Sequence, residues 1–455
     1  MMFRLLMSPA ALCAAGIAFF SCGKGPAGAR GEAAYDEAVA RARDSAVERY
    51  VSSLPEEALV SQLFLVNVDG DSVYHAVERT GALYGRRGEG GPLVPGGALL
   101  FSYNISREPA RTWAFIKSIR DFYVGLGFPP PYVAVDQEGG DVCRLRGLTS
   151  RLLSQEDVAG TLSPDEAGSL YSYQARQMRS LGFHLNLAPV VEVLNDSNRA
   201  FLGSRSFGGL DSVLLYGRAA VEGYESGGVS VVLKHFPGNS GTDPHTGLPE
   251  ISVGRSDLES GYIAPFEALL PFSSAVLLSH ARVAVSDDGS YGESGTPACL
   301  SRYWVTEVLR ERLGFTGLVL SDDIFMGALS DSGWTPERAC LGAINAGVDV
   351  IMISEKRFAD VAGIILRKAA EDGAFAREVR RAAANVIRLK IKSGIMAFKE
   401  SGADGAGQNG GRLFDGAEMT VPEFTVVVSD SYEDFDPLRF GQDYKAGEAV
   451  LSGGL

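Results

Sequence analysis

Cysteine is scarce in this chain of 455 residues. Five occur, at Cys13, Cys22, Cys143, Cys299 and Cys340. That spacing excludes a paired-cysteine metal motif and offers no disulfide framework. Cys299 and Cys340 stand in apolar or helical contexts, as small buried hydrophobes do. Clustered positive charge is missing as well. The 42 lysines and arginines are scattered among 56 acidic residues, for a formal net charge of −14. Nucleic acid and anionic membrane surfaces both reward a basic face, so neither is expected as a partner. Long apolar runs are also lacking near the start, where Ala10 to Phe20 is too short for a comfortable membrane span.

That short run reads better as an export signal. Arg4 is the only charge before it, and it ends at Ser21-Cys22-Gly23. A positive start, a short apolar core and small residues at the end form a secretory signal. A small residue followed by cysteine also resembles the bacterial lipobox, although Phe19 and Phe20 stand where leucine and a small residue are usual. The expectation is an exported protein anchored to a membrane by lipid on Cys22, on the periplasmic or cell-surface side. An ordinary secreted or anchored protein is the alternative. Residues 1–22 would then be the signal segment and residues 23–34, rich in Gly and Ala, a flexible tether. Residues 35–52 have helical periodicity and mixed charge, which predicts a leading helix.

From about residue 59 a regular rhythm begins. Short apolar, β-branched runs occur at 63–68, 97–101, 132–136, 184–190, 230–235, 275–280, 317–322 and 349–354. Amphipathic helical patterns separate most of them, at 108–125, 165–181, 211–226, 257–270, 301–313 and 335–346. Strands alternating with helices indicate βαβ units and a parallel sheet whose strands are apolar throughout. Eight such units predict an α/β fold of the (β/α)₈ TIM-type barrel, a single main domain over residues 35–398. An open, doubly wound sheet is the alternative. Two more helices, at 356–373 and 376–394, precede a linker at 400–412. The extension that completes residues 399–455 contains one predicted strand, Phe424–Val428, and is too short for a domain with its own core.

The charges in this pattern fall at the strand ends. Asp136, Lys234, His235, His280 and Asp322 all terminate apolar runs, and active sites of such barrels lie at that face. A single polar strand end can simply cap the next helix; four different strands ending in ionisable groups are harder to explain so. Lys234-His235-Phe236-Pro237-Gly238 continues through a Gly, Ser, Thr and Pro-rich loop to Asp243-Pro244-His245. A carboxylate beside an imidazole fixes its tautomer and raises its basicity, as a general acid/base requires. Four of the five histidines, His184, His235, His245 and His280, lie at or near strand ends. The run Leu320-Ser321-Asp322-Asp323 ends in paired carboxylates. One of them could attack an oxocarbenium-like centre; the bland reading is helix capping, or metal binding with a third ligand. The segment Val135-Asp136-Gln137-Glu138-Gly139-Gly140, followed by Arg144, turns the backbone sharply after a strand.

Together these motifs resemble glycoside hydrolase family 3, in its bacterial β-N-acetylglucosaminidase branch. The resemblance is carried by Val135 to Gly140 with Arg144, Pro95-Gly96-Gly97, Asn186-Leu187-Ala188-Pro189-Val190, Arg205-Ser206-Phe207-Gly208, Lys234 to Pro249, Pro297 to Ser301, and Ser321-Asp322 with Met326. It implies a retaining exo-hydrolase of terminal β-linked N-acetylhexosamine. Asp322 would be its nucleophile and His245, oriented by Asp243, its acid/base. Asp136, Arg144, Arg205, Lys234 and His235 would hold the hydroxyls and the acetamido group of a carbohydrate such as a peptidoglycan fragment. No metal or organic cofactor is implied. The Asp243–His245 loop is shorter than usual and has proline inside the pair, so its position or mobility is expected to differ from that of relatives. A β-glucosidase-like or phosphorolytic exo-glycosidase is the alternative in the same class. A surface lipoprotein that binds carbohydrate without cleaving it is the alternative from another.

Overall fold

The computed structural model describes residues 26–75, 93–285, 295–401, 421–429 and 434–453. The expected signal segment, Cys22 included, lies outside them, as does most of the 400–412 linker. Eight parallel strands close into a barrel: β1 (Phe64–Asn67), β2 (Gly97–Leu100), β3 (Tyr132–Val135), β4 (Leu185–Asn186), β5 (Ser230–Phe236), β6 (Ala275–Leu278), β7 (Leu318–Asp323) and β8 (Val350–Ser354). Each pairs with the next in sequence, and β1 returns to β8 with Phe64 opposite Ile351. The doubly wound alternative is therefore excluded. All seven residues of β5 are buried, as expected of a strand covered on both faces.

The outer helices start and stop where short-range chemistry dictates. Ser163 caps Pro164–Leu181, taking the Glu166 N–H while the Glu166 carboxylate takes the Ser163 N–H; Gly182, at φ 98°, ends it. Thr335, Pro336 and Gly347 frame Pro336–Ala346 in the same way. Two helices depart from the expected α geometry. Tyr303–Arg312 is wound as a π-helix, and a π turn at Leu258–Ile263 interrupts the 257–270 segment.

Buried charges tie the helices to the end of the barrel where the strands begin. Asp349, just before β8, accepts from Arg310 at 2.6 Å and Arg381 at 2.5 Å, and from the Val319 N–H at 2.9 Å. Lys390, fully buried, donates to Gln62 Oε1 at 2.7 Å, and burial pulls its ammonium down to about 7. A buried charge is tolerable only when paired or hydrogen-bonded, so these partners fix the helices in place.

One expectation is corrected at the N-terminal side of the described residues, and one is extended at the C-terminal side. Helix Pro26–Ser53 takes in most of the segment expected as a flexible tether, because its alanines are strong helix formers and Pro26 suits a first turn. In the C-terminal extension, strand Phe424–Val428 is present and pairs with Met396–Glu400. A helix, Pro437–Leu451, follows it and packs on Pro164–Leu181. Asp436 caps this helix through the Leu438 and Arg439 N–H groups. By contact, Ala46–Lys399 and Thr425–Leu455 form one compact unit; the other comprises Met1–Ser45 and Glu400–Phe424. The barrel unit thus includes most of the extension.

Candidate active site

The strand-end residues converge on a cavity of about 330 Å³ at the carboxyl face of the barrel. Asp136, Arg144, Arg205, Lys234, His235, Asp243, His245 and Asp322 all line it, so every residue singled out for chemistry or substrate contact is brought together. A cavity of similar volume opens at the opposite end, where His184, Arg179 and Gly228 precede or flank strand starts. His184 belongs there and not with the other histidines. It stands at the beginning of β4, its Nδ1 accepting from the Val133 N–H at 3.1 Å. Burial, with Arg179, Lys390 and Arg120 nearby, drives its imidazole well below the ordinary histidine range. Strand ends come in two kinds, and only one faces the site.

One wall is a buried charge network. Lys234 Nζ lies 2.8 Å from Asp136 Oδ1 and 2.6 Å from Glu138 Oε1. Arg205 grips both oxygens of Glu138, at 2.8 and 2.9 Å. Burial alone would raise the Glu138 carboxyl, but the Lys234 and Arg205 cations outweigh it and hold the carboxyl down at about 2. Burial likewise opposes the Lys234 charge, and the carboxylates of Asp136 and Glu138 overcome that opposition. Gly139 and Gly140, at φ 104° and 54°, make the turn that brings Glu138 here; L side chains are strained in that region. The guanidinium of Arg144 lies over the Phe101 ring, 5.6 Å from its centroid, and both border the cavity.

His235 Nδ1 meets Glu192 Oε1 at 2.6 Å, and Asn239 Nδ2 donates to the same oxygen at 3.3 Å. A carboxylate at Nδ1 leaves Nε2 as the nitrogen available to a bound molecule. Neither Glu138 nor Glu192 was singled out from sequence. The usable signal was a carboxylate embedded in a segment otherwise read as turn or core, since such a group requires a cationic or donor partner.

The opposite wall carries Asp322, at the end of β7. The register between β7 and β8 shifts between Leu320 and Asp323, and such bulges re-aim side chains at strand ends. The two aspartates divide their tasks. Asp323 Oδ1 accepts from the Phe325 N–H at 2.9 Å, a local bond that turns the chain after the strand. Asp322 Oδ1 accepts from the Asp323 N–H at 2.8 Å, leaving its second oxygen for other work. Burial, together with the neighbouring Asp322 charge, raises the Asp323 carboxyl to about 6. Beneath them, His280 donates from Nε2 to the Asp323 carbonyl at 2.9 Å, and its Nδ1 faces Cys299 Sγ at 3.2 Å. Burial lowers the His280 imidazole, so it stays neutral, below the floor of the site.

The loop after β5 brings Asp243 and His245 to the rim. Asp243 Oδ1 accepts from the His245 N–H at 2.9 Å and lies 2.8 Å from His245 Nδ1. These bonds lower the Asp243 carboxyl. With Nδ1 so engaged, Nε2 is the nitrogen available for proton transfer. The Asp243 carbonyl accepts from Thr246 and Gly247, closing a tight turn around Pro244. This arrangement fits chemistry on a polyhydroxylated ring: a free carboxylate oxygen, an imidazole with an orienting carboxylate, and charged groups opposite.

The model of the glycosyl hydrolase family 3 N-terminal domain matches residues 100–389. The chain belongs to glycosyl hydrolase family 3. Its curated relatives include beta-hexosaminidase A of Pseudoalteromonas piscicida, 30% identical over 276 residues that cover 57% of this chain and 45% of that protein. The beta-hexosaminidase of Tolumonas auensis is 31% identical over 274 residues, covering 59% of this chain and 78% of that one. This family 3 chain therefore spans under half the length of the first relative and about three quarters of the second. Among solved structures, the beta-N-acetylhexosaminidase of Beutenbergia cavernae superposes with a TM-score of 0.64 at 27% identity, covering 74% of this chain and 99% of that one.

Proposed function

We propose that this family 3 protein is an exo-acting, retaining β-N-acetylhexosaminidase. One observation carries the reading: Asp322 and the Asp243–His245 pair border a single cavity whose far wall holds Asp136, Lys234, Glu138 and Arg205. The printed names of the relatives support the sugar. In the first step His245 donates its Nε2 proton to the glycosidic oxygen as the bond to the anomeric carbon breaks. The free Asp322 oxygen bonds to that carbon. In the second step His245 takes a proton from water, the water oxygen bonds to the anomeric carbon, and Asp322 leaves. Two inversions give net retention. Asp243 holds the imidazole in the required tautomer and stabilises its cation. Lys234 stays charged between Asp136 and Glu138, so Asp136 can accept from ring hydroxyls without reorganising. Preorganised charge of this kind strengthens as the transition state forms. The natural substrate we propose is a peptidoglycan-type fragment bearing terminal N-acetylglucosamine.

The test is a substrate panel. The protein is expected to release nitrophenol from 4-nitrophenyl N-acetyl-β-D-glucosaminide, with the β anomer of the sugar appearing first by NMR. A folded protein that cleaves nothing would favour the carbohydrate-binding alternative. Preference for the matching glucoside would move the assignment to the β-glucosidase-like alternative, and a sugar phosphate formed in phosphate buffer would move it to phosphorolysis.

We further propose that the enzyme is exported and anchored by lipid on Cys22. The signal-like run before Ser21-Cys22 supports this; among the described residues no helix is long and apolar enough to cross a membrane. Cys22→Ser is expected to shift the protein from the detergent-extracted membrane fraction to the soluble one. An unchanged distribution would rule out the lipid.

A further inference from the structure

Asp243 and His245 sit on an exposed turn, their side chains 50% and 67% accessible. Burial therefore does little to hold the imidazole over the cavity. The turn instead rests on the segment that follows β7. The Pro244 carbonyl accepts from the Ala328 N–H at 3.0 Å, and a Cβ on Gly327 would lie 2.6 Å from the His245 carbonyl oxygen. Gly327 opens the short helix Gly327–Ser330, whose first N–H groups have no partner within it; the Pro244 carbonyl satisfies one of them. The same chain stretch runs from Asp322 through Met326, a cavity residue, to Gly327. The acid/base turn is thus seated on the chain that carries the proposed nucleophile.

We propose that Gly327 and Ala328 are positioning residues: the dock that sets the distance between the His245 imidazole and the Asp322 carboxylate. The inference rests on the functional reading above, and it assigns to the backbone after β7 a role beyond supporting that strand. The absence of a Cβ at Gly327 lets the His245 carbonyl approach, and the Ala328 N–H fixes its direction through Pro244. Proline within the turn leaves few other conformations in which His245 could find its place. Orientation is costly to lose: a misplacement of about 1 Å lowers rates on the order of 10²-fold.

Gly327→Ala isolates this contact. Gly327 lies outside the positive-φ glycines, and alanine favours a helical first turn, so the helix itself tolerates the change. The added methyl instead displaces the His245 carbonyl. The readout is kcat/KM, which reports the glycosylation step, for N-acetyl-β-D-glucosaminides with alkyl or 2,4-dinitrophenyl leaving groups. The dinitrophenolate departs without a proton, so only the alkyl substrate needs a placed acid. Gly327→Ala is expected to lose about 10- to 100-fold on the alkyl substrate and less than about threefold on the dinitrophenyl one. Gly327→Val should widen that gap, and thermal melts of both variants should match the wild type within a few degrees. Equal losses on both substrates, or none on either, would overturn the dock. His245→Ala is the reference: if it shows no dependence on the leaving group while the wild type cleaves both, the acid/base assignment fails, and the dock with it.

Discussion

Asp322→Ala is expected to lower kcat on 4-nitrophenyl N-acetyl-β-D-glucosaminide by on the order of 10⁴- to 10⁶-fold, the scale of losing a covalent nucleophile. The two adjacent carboxylates make this a sharp test, since either could in principle attack. Their partners separate them. Asp323 spends an oxygen on the Phe325 N–H, is pushed up to about 6, and has its carbonyl held by His280. Asp322 receives one backbone N–H from its neighbour and borders the cavity with its second oxygen unspent. With its carboxyl near 6, Asp323 carries its charge at neutral pH but sheds it as the pH falls through that value, and while present that charge repels Asp322. Asp323→Asn should remove that repulsion, keep the oxygen that accepts the Phe325 N–H, and cost no more than about 10-fold, through shape and hydrogen bonding alone.

The measurement is paired. Azide added to Asp322→Ala should restore turnover and give a glycosyl azide of inverted configuration, because a small anion enters where the carboxylate stood. Mass spectrometry of the wild type with a slow 5-fluoro substrate should show the sugar attached to a peptide containing Asp322. If Asp323→Asn is the dead variant and Asp322→Ala the active one, the roles are exchanged. If neither loses activity, no covalent step passes through this strand end.

The parts of the barrel that were legible share one property: a local pattern sufficed. Apolar runs ending in charge located β3, β5 and β7 together with Asp136, Lys234 and Asp322, because a strand buried on both faces must be apolar until it reaches the rim. The Asp243–His245 pair was legible for a similar reason, since both partners lie in one turn. What escaped depends on partners distant in sequence. Glu138 looked like part of a glycine turn, yet its energetics are set by Lys234 and Arg205 on other elements. Glu192 interrupts an apolar stretch and made sense only once His235 lay against it. Sequence alone places His184 with the other histidines, because periodicity marks a strand's extent and not which end faces the cavity. Helix Pro437–Leu451 does not stand out in the sequence, although Asp436-Pro437 is a sound start signal. Its burial depends on the surface of Pro164–Leu181, and its sequence carries only a faint apolar stripe.

Glu138→Gln should expose how much of the site is held by charge. Glu138 is almost wholly buried, and Lys234 and Arg205 both spend hydrogen bonds on it. Glutamine preserves the shape, accepts from one cation and confronts the other with an N–H. Lys234 would then keep only Asp136 as an anionic partner, and Arg205 only the charges of Glu192 and Asp136; breaking a buried pair in this way costs about 3–5 kcal/mol. The pH dependence gives the sign. The folded Glu138 carboxyl, near 2, lies below the ordinary value of 4.5. Its contribution to stability is therefore fully present above about 4.5 and is lost as the pH falls towards about 2. Urea unfolding of both proteins should show the widest gap between pH 6 and 8, narrowing steadily below pH 4.5. KM should rise with the loss of stability, because Glu138 no longer ties Lys234 and Arg205 together across the cavity wall. A gap that stays constant from pH 7 down to pH 3 would mean that packing and not charge holds Glu138, and the far wall would then owe its geometry to the Gly139–Gly140 turn.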